Sequence, residues 1–180
     1  MSELEQWKRD CAVKQKKGLH FILASVVIWA LILVVECTSL PILTKNLLVF
    51  CCTAPLMPIA LLISKCIGVD FQNKENPLTK LGILFSINQI IYLLIPMWLF
   101  QAMPEQMLMV FAMIFGAHLL PFSWLYASKS YLAASIVIPL VCLFVGLKFG
   151  PPPLSVVMLG LECILSLCLV WENRIFSVKE

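Results

Sequence analysis

Charge is scarce in this chain. Only 13% of its 180 residues are Asp, Glu, Lys or Arg, against roughly 25% in an ordinary soluble domain, while 61% are apolar. Long stretches lack the polar positions that would mark the wet side of an amphipathic helix, so each apolar run is apolar on every face. That pattern excludes a soluble globular domain. It predicts an all-α integral membrane protein with room for one compact bundle. The C-x-x-C spacing is also missing, which removes the usual zinc and thiol-redox motifs. Of eight cysteines, Cys51, Cys52, Cys142, Cys163 and Cys168 fall inside apolar runs, Cys11 and Cys66 fall on the cytoplasmic side, and only Cys37 is placed outside. No disulfide framework follows. No Ser/His/acid spacing typical of nucleophilic hydrolases occurs, so the chain is not expected to be an enzyme, and no cofactor is expected.

What is present is six apolar runs. They predict spans at about 18–35, 46–64, 80–100, 107–127, 131–148 and 154–172, preceded by a basic leader at 1–17 and followed by a tail at 173–180. The leader, MSELEQWKRDCAVKQKK, reads as a frayed topogenic segment; as a helix it would lay Trp7 and its basic residues on the membrane surface. Residues 65–80 read as a loop. Gly150-Pro151-Pro152-Pro153 reads as a helix break of extended conformation. Pro55, Pro58, Pro121 and Pro139 lie inside spans, where a proline removes a backbone donor and kinks the helix.

Six spans put both termini on one side. With that side cytoplasmic, Lys45 and Lys148 are the only basic residues outside among thirteen, a decisive bias under the positive-inside rule. The net charge of +3 therefore reports topology, and no nucleic-acid partner is expected. The halves could form an inverted repeat, since Gly82 in LGILFSINQ and Gly160 in LGLECILSL occupy related places and spans two and five both carry mid-helix proline.

Few polar residues lie at mid-depth. Counting about 1.5 Å per residue from span centres puts Asn88, Gln89, His118 and Glu162 within about 3 Å of the midplane. On span three, Gly82, Ser86, Gln89 and Pro96 share a stripe, and on span six Ser155, Glu162 and Ser166 do, which points both stripes inward. A carboxyl at that depth must be neutral or paired, and His118 is its expected partner. A metal site from His118, Glu162 and Cys163 is disfavoured because positions 162 and 163 point about 100° apart, so no metal is expected. The G-x-x-x-G at Gly146 and Gly150 offers a dimerisation motif of low specificity.

The run GAHLLPFSWLYASKSY, residues 116–131, resembles a signature stretch of small bacterial integral membrane proteins of unknown function. The resemblance covers the central third of the chain and implies a bacterial inner membrane and no particular chemistry. The expected function is binding or conduction of a small solute or ion at a midplane polar site, with a proton-linked Glu162, His118 beside it and neutral hydrogen bonds from Asn88 and Gln89. Six short spans enclose little space, so a homodimer is expected. The alternative is an accessory, sensory or scaffold membrane protein whose buried polar groups only fix packing; a lipid-acting enzyme ranks below both.

Overall fold

The structure is a computed structural model that describes residues 2–71 and 73–178. Among these residues it is all-helical, and six helical stretches are long and apolar enough to cross a membrane: Lys16–Glu36, Ile42–Ile67, Leu78–Ala102, Pro104–Leu125, Lys129–Phe149 and Pro151–Ile175. Each is somewhat longer than its sequence-predicted span, except that the fourth ends two residues sooner.

Three of the six are interrupted. The second divides into α3 (Ile42–Thr53) and α4 (Leu56–Ile67), the third into α5 (Leu78–Tyr92) and α6 (Leu94–Ala102), and the fourth into α7 (Met107–Ala117) and α8 (Leu119–Leu125). Proline chemistry explains all three breaks. Pro55 and Pro58 have no N–H for the carbonyls of Cys51 and Ala54, Pro96 has none for Tyr92, and Pro121 has none for Ala117, so the i to i−4 ladder fails one turn before each ring. Pro58 itself is accommodated in the first turn of α4, where amide hydrogens are unused anyway. The first span is α2 (Leu19–Glu36), the fifth α9 (Lys129–Phe149) and the sixth α10 (Pro151–Val178), and these three are continuous.

Pro139 lies inside α9 without breaking it. Gly116 of α7 packs there so closely that a Cβ would sit 2.6 Å from Ile138 Cγ2 and 2.7 Å from Pro139 Cδ. Further along the same pair of helices, a Cβ on Gly146 would lie 2.5 Å from Met109 Cγ. Gly116→Ala should therefore destabilise the α7–α9 seam by about 1–3 kcal/mol, the usual range for overpacking, read as a lower unfolding midpoint in detergent. Gly160→Ala, with nothing near its would-be Cβ, should lack that loss. Because Gly146 is occupied by Met109 of its own chain, the G-x-x-x-G at 146–150 is no free dimerisation face.

Two sequence expectations fail. The three prolines at 151–153 do not form an extended break. Gly150 (φ 80°) makes the turn, and the prolines open α10, since helix-initial positions need no amide hydrogen and φ near −65° is already helical. The leader is not frayed either. It forms α1 (Glu3–Lys14), closed by a capping box between Ser2 and Glu5, with Cys11 and Ala12 buried and its helix packed on α5 and α8. The polar stretch after α4 reaches back to it. Asn73 and Asn76 donate to Asp10 at 3.0 and 2.8 Å, and Lys14 pairs with Asp10 at 2.9 Å. Burial pushes the Asp10 carboxyl up, but these donors outweigh it and hold it below the usual aspartate range.

The core comes from the first, fourth and sixth spans, with 50%, 44% and 39% of their most apolar stretches buried, against 17%, 11% and 17% for the second, third and fifth. Trp29 and Ile32 of α2, Met107 and Leu108 of α7, Leu119 of α8, Ile138 of α9 and Met158 of α10 are among its largest fully enclosed side chains. The outer surface is equally apolar, with Ile83, Leu140, Phe144, Leu147 and Leu167 all exposed. Water would not tolerate such a surface, whereas hydrocarbon does.

Candidate functional site

A cavity of about 450 Å³ opens where the three interrupted spans meet α2, and Ala54, Leu93 and His118, the residues at or beside the three breaks, all line it. Most of its wall is aromatic or aliphatic, including Phe21, Ile28, Trp29, Phe50, Phe111 and Phe115. α4 packs on α2, and α5 packs on α1, α7 and α8, but α4 and α5 are not a packed pair. Met57 of α4 and Ile90 of α5 are exposed while also lining the cavity.

The polar groups of the wall sort into committed and uncommitted. Ser86 donates to the Gly82 carbonyl at 3.1 Å, Thr53 to Phe50 at 2.8 Å, Tyr126 to Gln15 Oε1 at 2.8 Å and Tyr131 to the Lys17 carbonyl at 2.8 Å. Ser25 is engaged by the Ile22 carbonyl and by Glu162. His118 Nδ1 meets the Phe115 carbonyl. A carbonyl can only accept, so Nδ1 carries the proton and Nε2 of the neutral ring is an acceptor. The ring is set edge-on to both Phe115 and Phe122. Gln89 makes no hydrogen bond to the described residues. Its amide, the Trp29 indole N–H and His118 Nε2 are thus the side-chain polar groups of a largely apolar chamber that have no bond of their own or one nitrogen to spare among the described residues, a composition typical of a site that orients one polar end of a ligand.

Of the residues that the sequence placed together, the structure brings Gln89 and His118 to one cavity and separates the other two. Asn88 is exposed on the outer face of α5, because neighbours on a helix point about 100° apart and Gln89 takes the inward direction. Glu162 is fully buried, but its bonded partner is Ser25 of α2, not His118. It stands behind the cavity wall, and no carboxylate lines the chamber. The expected imidazole–carboxylate couple is therefore not formed. Among the described residues, no group of three His, Cys, Asp or Glu side chains is placed to hold a metal ion.

Sequence reasoning missed Ser25, although it is the lone hydroxyl in the apolar run FILASVVIWALILVV. It also missed His20, which is 2% exposed, packs against Phe21 and Phe71, and makes no hydrogen bond to the described residues. The polar knot at the end of the bundle that holds the termini had no signal beyond the basic leader. There Glu172 receives Lys17 Nζ and Ser128 Oγ, each at 2.8 Å, and the Ser130 amide and hydroxyl at 2.9 and 2.7 Å. Asn173 donates to the Lys16 carbonyl at 3.0 Å.

Fold and site define a helical bundle of membrane type with a ligand-sized, mostly apolar internal chamber. The chain belongs to the family of unknown function DUF7010, whose model matches residues 4–172. Neither the comparison with curated proteins nor that with solved structures found a match.

Proposed function

We propose that this protein lies in a plasma membrane with both termini cytoplasmic, and that it binds and passes a small, mainly apolar solute carrying one neutral polar group. The orientation rests on the lysine and arginine distribution. The end formed by α1, the segment between α4 and α5, the α8–α9 turn and the close of α10 carries all the basic residues among the described ones except Lys45 and Lys148. The resemblance of residues 116–131 favours a bacterial inner membrane.

The observation that carries the binding reading is the meeting of three helix interruptions at one chamber whose uncommitted polar groups include Gln89 and His118. Backbone broken at mid-depth is tolerated only where it is buried in protein or lines a cavity, and discontinuous helices recur at the binding sites of transporters. A hydroxyl suits the pair: it donates to His118 Nε2 and accepts from the Gln89 amide. A bare cation does not, since no carboxylate reaches the chamber. The exposure of the lining residues Met57 and Ile90 on α4 and α5 suits entry between these helices from the hydrocarbon layer. For Glu162 the bond to Ser25, away from the chamber, favours the second reading, in which this carboxyl fixes the packing of α10 on α2.

Trp29 supplies the test, because it lines the chamber and is 1% exposed. With the other tryptophans changed to phenylalanine, its fluorescence in lipid nanodiscs should be quenched saturably by a bromine-tagged medium-chain alcohol, and less by the matching bromoalkane. Gln89→Leu and His118→Phe should each weaken the alcohol's binding about fivefold, the worth of one buried hydrogen bond near 1 kcal/mol. Quenching that rises without saturation, equally in all variants, would refute the proposal.

A further inference from the structure

We propose that two copies of this chain associate through the outer face of α5, with the two Asn88 amides bonded to each other across a two-fold axis along the membrane normal. Within the six spans, Asn88 is the one Asn, Gln, Asp, Glu, Arg or His residue that is exposed at mid-depth among the described residues. It lies two residues from the centre of its span, about 3 Å from the midplane, and it makes no hydrogen bond to the described residues. Lipid offers an amide nothing, so an uncovered Asn there leaves two donors and an acceptor unsatisfied.

The surroundings show what covers it. Leu84, Asn88 and Ile91 follow the three–four spacing of a helix-pairing seam, with Leu84 57% and Ile91 58% exposed. Past the bend at Leu93, Ile95 and Trp98 continue the spacing, both exposed. The span that carries this seam is the least buried of the six. A primary amide is its own complement, donating and accepting at once, so a second Asn88 at the same depth satisfies it. An isologous two-fold contact between parallel α5 helices delivers that second copy. A single Asn in an apolar seam also fixes register and copy number. The face lies apart from Gln89 and the chamber, so the proposal does not depend on the ligand reading.

A photo-crosslinking residue placed at Ile91 in the full-length protein in membranes should trap an adduct with the mass of two chains. The same residue at Leu147, on the outer face of α9, should trap none. In nanodisc or detergent subunit counting, Asn88→Leu should weaken self-association about tenfold, as expected for an interhelical polar contact in lipid, while Asn88→Gln retains most of it. A strictly monomeric wild-type chain overturns the proposal. So does an Ile91 adduct of any other mass, or a dimer trapped from Leu147 and not from Ile91.

Discussion

Glu172→Ala should lower the unfolding free energy by about 3–5 kcal/mol, the scale for removing one partner of a buried ion pair. The Lys17 and Glu172 side chains are only 4% and 14% exposed at a separation of 2.8 Å, and the carboxylate also takes three hydrogen bonds from Ser128 and Ser130. Those bonds hold a strained turn. Lys16, Lys17 and Gly18 have φ of 45°, 52° and 70°, a left-handed run that L side chains adopt at the expense of roughly 1–2 kcal/mol per residue. The turn carries α1 away from α2, and Tyr131 donates to its Lys17 carbonyl. Loss of Glu172 should thus also loosen α1, read as faster amide exchange over residues 3–14. The measurement is equilibrium unfolding in mixed micelles. A loss below 1 kcal/mol, with α1 still protected, would show that the knot is not what anchors the leader. Glu172→Gln, which keeps hydrogen bonding without the charge, should fall between wild type and alanine.

The bundle was legible in the sequence because lipid leaves few alternatives. With no water to satisfy the backbone, apolar runs of this length read as helices, and the positions of six of them follow from hydropathy. The breaks at Pro55 and Pro121 were legible for the same chemical reason. Pro96 was not, since its place on a plausible packing stripe hid its effect on Tyr92. Pro139 shows the opposite limit: its ring stays inside a continuous helix and packs against Gly116 of another helix, a neighbour that is invisible in local sequence. Depth could be counted, which put Asn88, Gln89, His118 and Glu162 at one level. Direction could not, because it depends on how each helix is rotated against its neighbours. Gln89 and His118 turned to one chamber, Glu162 turned to α2, and Asn88 turned outward. The leader was misread because its charges suggested solvation, whereas Asp10, Asn73 and Asn76 tie it to a segment more than sixty residues away.

Ser25→Ala and Glu162→Leu should act in opposite directions although the two side chains touch. Ser25 is 2% exposed and Glu162 is 0% exposed, and Glu162 Oε1 has no hydrogen bond among the described residues, so Ser25 is the carboxyl's bonded partner. Alanine at 25 should destabilise by about 1–3 kcal/mol, the range for stranding a buried polar group. Leucine at 162 removes the polar group itself and lets Met158 and Cys142 pack against methyl groups. With Ser25 still bonded to the Ile22 carbonyl, no partner is stranded, so the change should be neutral or stabilising. The double variant should then lie near Glu162→Leu alone, with a coupling energy of at least about 1 kcal/mol, since contacting residues do not add. Ser25 carries one proton and lies within reach of both the Ile22 carbonyl and Glu162, so both bonds form together only when the carboxyl supplies its own hydrogen. Glu162→Gln keeps a donor at that place and should preserve stability. If Glu162→Leu instead unfolds the chain, or the single effects simply add, the carboxyl is not a packing bond between α2 and α10. If stability follows this pattern while quenching of Trp29 by the bromoalcohol is unchanged, Glu162 belongs to the scaffold and the chamber works without it.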